Sequence, residues 1–450
     1  MSLSRGELAR RVVHVSCVAF ALLLRWLTWP QAALMALAAF VFNWQVLPRL
    51  FGRGMWRSAD VARGYPIGIL AYPLAVLALI LFFRDRLWMA AAGWGILAVG
   101  DGMAGLVGQL AGGPRLPWNP RKGWTGLVAF VLCGAAAAAF LSAWVARLPL
   151  EPDALHWPHT VGAAFALAAV CALVESLPTT LDDNVTVPLA TMLALPLIAS
   201  AEPVLLAGDP GLGRRLLVGL ALNGAIGLAA YLARSVDVAG ALSAVLIGTA
   251  ITAGLGLAGL ALMIAFFVLG TAATRLGYRR KAARGIAQER GGARGWQNAW
   301  ANGGVPAALA VLAGMAPLGL RDVLGIAYAA SVATAAADTC SSEIGKAYGR
   351  RTFLITTLRP VPPGTEGAVS LEGTLAGLGG ALAVAAVGVA TGLFGWRAAL
   401  VVAVAGLLGS LAESLLGTVA EKRGWMDNNL LNAANTAIGA LVAVALVRLL

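Results

Sequence analysis

The sequence predicts an all-α, polytopic transmembrane protein of about fifteen spans arranged as two parallel, same-orientation repeats. Three observations carry that prediction. Of 450 residues, 59% are hydrophobic and only 12% charged, too little polar surface for a soluble fold. Apolar segments of roughly 17 to 22 residues, the length that crosses a bilayer as a helix, recur between charged or Pro/Gly-rich breaks. One unusual polar pattern inside that apolar sequence occurs twice.

In chain order the apolar segments run over 12–28, 31–48, 66–83, 87–111, 127–146, 161–178, 187–206, 214–233, 238–254, 257–275, 303–320, 323–345, 374–394, 397–417 and 431–448. The basic start (Arg5, Arg10, Arg11) leads into the first of them without a small-residue cleavage site, so it reads as a retained span. With this start in the cytoplasm, the basic loops at Arg49–Arg63, Arg115–Lys122, Arg275–Arg294, Lys346–Arg359 and Lys422–Arg423 all fall on that side. The acidic stretch around Glu151 and Asp153 falls on the other. The formal charge of +12 is therefore topogenic, and the bilayer rather than nucleic acid is the expected partner. Four scattered cysteines read as small hydrophobes. The breaks GDPGLGRR and RSVDVAG suggest N-terminal spans over 1–58, one membrane domain over 59–210 and another over 211–450. High Ala and Gly content fits an integral protein of a bacterial inner membrane.

The repeated pattern is AADTCSSEIGKAYGRRT near residue 340 and VGDGMAGLVGQLAGG near residue 105. Asp338 and Asp101, Gly345 and Gly108, and Gly349 and Gly112 are each 237 apart, while Glu413 and Glu175 are 238 apart. Each Glu precedes Ser and then an Asp-Asn pair, Asp183-Asn184 or Asp427-Asn428.

Carboxylates inside apolar helices are costly, and Asp101, Glu175, Asp338 and Glu413 each require a partner or a task. A hydrogen bond to a neighbouring helix would satisfy one of them; two registered pairs favour function. Together with Asp183, Asn184, Asp427 and Asn428 they form oxygen-rich sets of the kind that hold Mg²⁺ on a polyphosphate, with Asp101 and Asp338 as the first ligands. Gly108, Gly112, Gly345 and Gly349 permit either close approach to an anion or tight helix packing. Arg115, Arg121 and Lys122 in one copy, and Lys346, Arg350 and Arg351 in the other, can offset phosphate charge. Ser370, Glu372, Gly373 and Thr374 put hydroxyls and a carboxylate at a helix mouth, where they also suit an N-cap. The polar link 276–302, with Arg279, Arg280, Lys281, Gln288, Glu289, Asn298 and Asn302, suits a nucleotide-facing loop as well as a topogenic one. No P-loop or HExxH motif is present. His14, His156 and His159 have no counterparts in the second copy, so catalysis by histidine is not expected.

The first copy, through VGDGMAGLVGQLAGG, RKGWTG and VESLPTTLDDNVTVPL, resembles the phytol kinase and dolichol kinase group, itself related to phosphatidate cytidylyltransferase. The second, through GYRRKAARGIAQERGGARGWQNAWANGG, AADTCSSEIGKAYG, PPGTEGAVSLEGTLAG, GSLAESLLG and NAANTAIGA, is similar to the phytyl-phosphate kinase family. The resemblance implies a fusion that phosphorylates a prenyl alcohol, such as phytol or geranylgeraniol, and then its monophosphate, with CTP or another nucleoside triphosphate as donor and Mg²⁺ as cofactor. The kinase pattern Lys-Ser-x-Glu-Gly-Ser/Thr is split between the copies. Lys122 survives in the first, followed by Gly123, Thr125 and Leu127; Ser370, Glu372 and Thr374 survive in the second, after Val369. Asp338, Glu413 and Asp427 would then hold the metal, and Asp101 or Glu175 would serve as base for an alcohol. Lipid cytidylyl transfer and isoprenoid transport are the alternatives.

Overall fold

The computed structural model describes residues 5–51, 67–148, 156–287, 295–421 and 424–449. It is all-α apart from two two-stranded hairpins, and it forms a polytopic membrane protein. Ten helices among the described residues are long and apolar enough to cross a bilayer. The chain divides into two compact units, Met1–Ser200 and Ala201–Leu450.

The first unit begins with helix α1 (Arg5–Ser16) and continues through α2 (Trp29–Val41) and α3 (Ile67–Phe82). Helix α4 (Leu87–Ala111) passes through a π-helical turn at Ile96–Gly100 immediately before Asp101. Hairpin β1 (Arg115–Leu116) and β2 (Asn119–Gly123) follows, then α5 (Trp124–Ala146), α6 (His156–Ser176) and α7 (Asp183–Ala199). The core is built on alanine and medium aliphatics, with Ala90, Ala91, Ile96, Leu97, Phe130 and Leu167 buried. Small side chains let these helices approach closely, which matters because lipid tails are as apolar as leucine and provide no hydrophobic drive between spans.

The second unit contains α8 (Leu212–Leu232), α9 (Val238–Arg275), the short α10 (Tyr278–Ala283), α11 (Trp296–Gly314) and α12 (Leu318–Tyr348). Hairpin β3 (Thr352–Leu354) and β4 (Ala368–Ser370) leads to α13 (Leu371–Ala390), α14 (Trp396–Leu416) and α15 (Asn428–Val447). Helix α12 is the axis: 83% of its most apolar window is buried, and every residue from Ala327 to Asp338 is inside. The segments expected at 238–254 and 257–275 meet at Gly256, whose φ of 67° and ψ of −160° break α9 into two helices. Segments 12–28, 66–83, 187–206 and 303–320 coincide with helices that are broken, short or more polar than a simple span.

Each unit thus has the same order of parts: a helix bearing an Asp, a hairpin, two helices of which the second bears a Glu, and a helix begun by an Asp cap. Asp182 accepts from the Asn184 amide at 3.0 Å to start α7, and Asp427 accepts from the Leu430 amide at 2.8 Å to start α15. The expected boundary at 58–59 lies outside the described residues.

Candidate functional site

The second unit holds a cavity of about 570 Å³ where α11, α12, the β3–β4 hairpin, α13, α14 and α15 meet. Asp338, Gly345, Lys346, Ser370, Gly373, Thr374, Glu413 and Asn428 all line it, with Asn298 and Asn302 from α11. Ser370 caps α13 by accepting the Gly373 amide at 3.1 Å, so the cap fixes the hairpin end against the helix that bears Thr374. Gly345 and Gly373 serve helix contact: a Cβ on Gly373 would fall 2.7 Å from the Ser341 carbonyl and 3.3 Å from the Gly345 Cα. Asp338 is buried, and Asn302 Oδ1 is a buried acceptor with no hydrogen-bond partner among the described residues. Asp338, Glu366, Glu413 and the amides of Asn302, Asn428 and Asn432 share its wall, with Glu343 engaged by Lys281, an oxygen-rich lining of the type that suits a hard divalent ion.

Other residues singled out in this unit lie elsewhere. Arg279, Arg280, Arg350 and Arg351 are exposed and absent from the cavity wall, and Arg280 lies over the Tyr348 ring at 5.2 Å. Glu372 sits in the first turn of α13 and Gly349 ends α12, both off the wall. Asp427 is exposed and engaged as the cap of α15, leaving its neighbour Asn428 to face the cavity. Lys281, expected in a phosphate-facing loop, is fully buried instead. Its ammonium pairs with Glu343 and donates to the Thr274 carbonyl at 2.8 Å, because α10 folds back against α12. Gln288 and Glu289 fall outside the described residues.

The first unit holds a second cavity, of about 580 Å³, lined by Asp101, Gly108, Lys122, Glu175, Asp183 and Asn184. Carboxylate oxygens of Asp101, Glu175 and Asp183 lie within 4.8 Å of one another, a spacing that fits a divalent ion. Lys122 Nζ donates to Glu175 Oε1 at 2.5 Å and stands 4.0 Å from Asp183 Oδ1, so this cluster already gathers positive charge. The hairpin delivers that lysine: Asn119 Nδ2 donates to the Ser176 carbonyl and Trp118 Nε1 to Ser176 Oγ, both at 3.0 Å, tying β2 to the end of α6. Gly108 packs against Gly126, whose Cβ would meet the Ala104 carbonyl at 3.0 Å; Gly112 ends α4 with φ 63° and is off the wall.

Several residues of this cavity escaped the sequence reading, Asn43, Tyr72, Gln109 and Asp182 among them, and two bring basic groups. Arg11 and His14 reach it from α1, where they share a face by i, i+3 spacing. His14 Nε2 donates to the Leu97 carbonyl at 3.0 Å, stands 3.5 Å from Asp101 Oδ2 and packs edge-on to Tyr72 at 4.8 Å. That i, i+3 pairing was the available signal, but a basic start to a membrane chain also has a topogenic explanation.

A profile described as "Integral membrane protein DUF92" matches residues 221–440. An uncharacterized membrane protein of Synechocystis sp. is 42% identical over 201 residues, 44% of this chain and 78% of that protein. The chloroplastic protein VTE6 of Arabidopsis thaliana is 37% identical over 218 residues, 47% of this chain and 66% of that one. Chloroplastic phytol kinase 1 of Arabidopsis thaliana is 34% identical over 129 residues, 28% of this chain and 42% of the kinase. No solved structure matches the chain.

Proposed function

The chain belongs to the DUF92 family of integral membrane proteins, and from that premise we propose that it is an isoprenoid kinase with one phosphorylating site in each unit. The first site phosphorylates a prenyl alcohol such as phytol or geranylgeraniol; the second phosphorylates the monophosphate to the diphosphate. CTP or another nucleoside triphosphate is the donor, with Mg²⁺.

The observation that carries this reading is the second cavity, where Asp338, Glu413, Lys346, Ser370, Thr374 and Asn428 converge on one polar space inside a membrane protein. Phosphoryl transfer demands positioning and charge neutralisation more than covalent help from the protein. Lys346 offsets phosphate charge there, and the Ser370 and Thr374 hydroxyls orient phosphoryl oxygens. Asp338, Glu413 and the amide oxygens beside them would hold Mg²⁺, which supplies charge neutralisation on the donor phosphates. A prenyl monophosphate is already an anionic nucleophile and asks for no base.

The first cavity fits a neutral acceptor. An alcohol has to lose its proton, and a carboxylate of the Asp101, Glu175 and Asp183 cluster can take it while the other two would hold the metal. The similarity to a protein named phytol kinase supports an alcohol as acceptor. Ala- and Gly-rich composition favours a bacterial inner membrane, and positive-inside charge favours both cavities opening to the cytoplasm, so that the prenyl tail stays in lipid while its head meets nucleotide.

Product analysis tests the proposal. Purified protein is given geranylgeraniol, CTP and Mg²⁺, or geranylgeranyl monophosphate with the same donor. Diphosphate from both substrates, with CDP released, is the expected result. Pyrophosphate release, or no product from either acceptor, would sink it.

A further inference from the structure

We propose that Arg11, carried by α1, is the phosphoryl-binding cation of the first cavity and does there what Lys346 does in the second. This rests on the kinase reading above and adds to it a residue from outside the repeated pattern. The register of the two copies supplies the first argument. At the spacing of 237 that relates Asp101 to Asp338, Lys346 corresponds to Gln109 and Ser342 to Gly105. Gln109 lines the first cavity as Lys346 lines the second, but it brings no charge.

Geometry supplies the second argument. A Cβ on Gly105 would overlap the guanidinium of Arg11, and one on Gly102, a turn earlier, would overlap Val15. Helix α1 therefore lies along a face of α4 that has been cleared of side chains, and Arg11 occupies the space that Ser342 fills in the other unit. Docking of His14 onto the Leu97 carbonyl and Tyr72 holds α1 in that position.

Charge supplies the third. The first cavity brings three carboxylates together, and its Lys122 is engaged by two of them. Arg115 and Arg121 also line this cavity, from the exposed hairpin, whereas Arg11 is held in a groove of α4, so a polyphosphate entering beside those carboxylates meets in it a cation fixed between helices. A guanidinium offers a planar fork of donors to phosphoryl oxygens and carries its charge at every working pH.

The test uses the full chain in zwitterionic nanodiscs with radiolabelled CTP. Wild-type protein is expected to bind in two phases, one per unit. Arg11→Gln should weaken one phase tenfold or more and raise the nucleotide KM of alcohol phosphorylation by a similar factor, with kcat changed less. Adding Gln109→Lys to that variant should bring both values back to within about threefold of wild type, a rescue that a merely structural role for Arg11 would not give. Two unchanged phases in Arg11→Gln, or a loss that Gln109→Lys leaves in place, overturns the proposal. Discs containing phosphatidylglycerol separate the two sources of phosphate: an effect of Arg11→Gln seen only with the acidic lipid identifies a headgroup as the anion and overturns nucleotide binding. Binding in two phases without any prenyl phosphate product would defeat the kinase reading while leaving the role of Arg11 testable by affinity alone.

Discussion

The two cavities are alike in size and in the elements that frame them, yet they are charged in different ways. The first concentrates three carboxylates around a half-exposed lysine and borrows Arg11 and His14 from a helix at the other end of its unit. The second spreads Asp338, Glu366 and Glu413 among hydroxyls and amides, has its Glu343 paired with Lys281, and keeps Lys346 on the same helix as Asp338. One set can deprotonate a neutral acceptor. The other can seat an acceptor that is already an anion. The difference teaches that one framework of helix, hairpin and helix can serve two chemistries through the residues that reach into it, without a change in architecture.

The sharpest way to break the comparison is to silence the units separately. Asp338→Asn should lower phosphorylation of the prenyl monophosphate by roughly a hundredfold or more while alcohol phosphorylation persists, and Asp101→Asn should do the reverse. Assays of both acceptors on each variant decide it, and parallel loss in both would mean one shared site rather than two.

The ion pairs come next. Lys281 and Glu343 are 1% and 3% exposed, whereas Lys122 is 31% exposed. Lys281→Met strands a buried carboxylate and should cost about 3–5 kcal/mol in a detergent unfolding titration. Lys122→Met, whose partner Glu175 is 11% exposed but borders a wetter cavity, should cost less, about 1–3 kcal/mol. Equal losses would show that the two lysines sit in equivalent surroundings.

The smallest effect concerns Asp427. As an exposed cap it should tolerate Asn with less than about a twofold change in activity, because Asn caps as well as Asp, whereas Ala should cost about 1 kcal/mol of stability. A loss on Asp427→Asn as deep as that on Asp338→Asn would make this carboxylate a metal ligand after all.

Much of this was legible beforehand because charge inside apolar sequence is conspicuous. Asp101, Glu175, Asp338 and Glu413 stood out as costly residues in matching places, and each now lines a cavity. The break at Gly256 was legible as well, since the apolar run there exceeds the length of one span. What stayed hidden depended on contacts between distant parts of the chain. Nothing local distinguishes Lys281, sealed against Glu343, from Arg280 beside it, which lies exposed over Tyr348. The glycines carried an ambiguity that only packing resolves, and Gly108 and Gly345 turned out to lie at helix contacts. Arg11 looked topogenic because the groove in α4 that receives it shows in the sequence only as glycines.

The attachment of α1 also has a consequence for how the molecule is made. Arg11 and Asn184 face the same cavity although 184 − 11 = 173 positions separate them. At ordinary synthesis rates of about 5–20 residues per second, α1 waits roughly 10–35 s before the last wall of its own site has emerged. Helix α1 thus leaves the ribosome well before it can find its place, and closing so long a loop is a slow event in assembly. Anything that captures that helix during the wait, whether a chaperone or another chain, acts on the first site and spares the second.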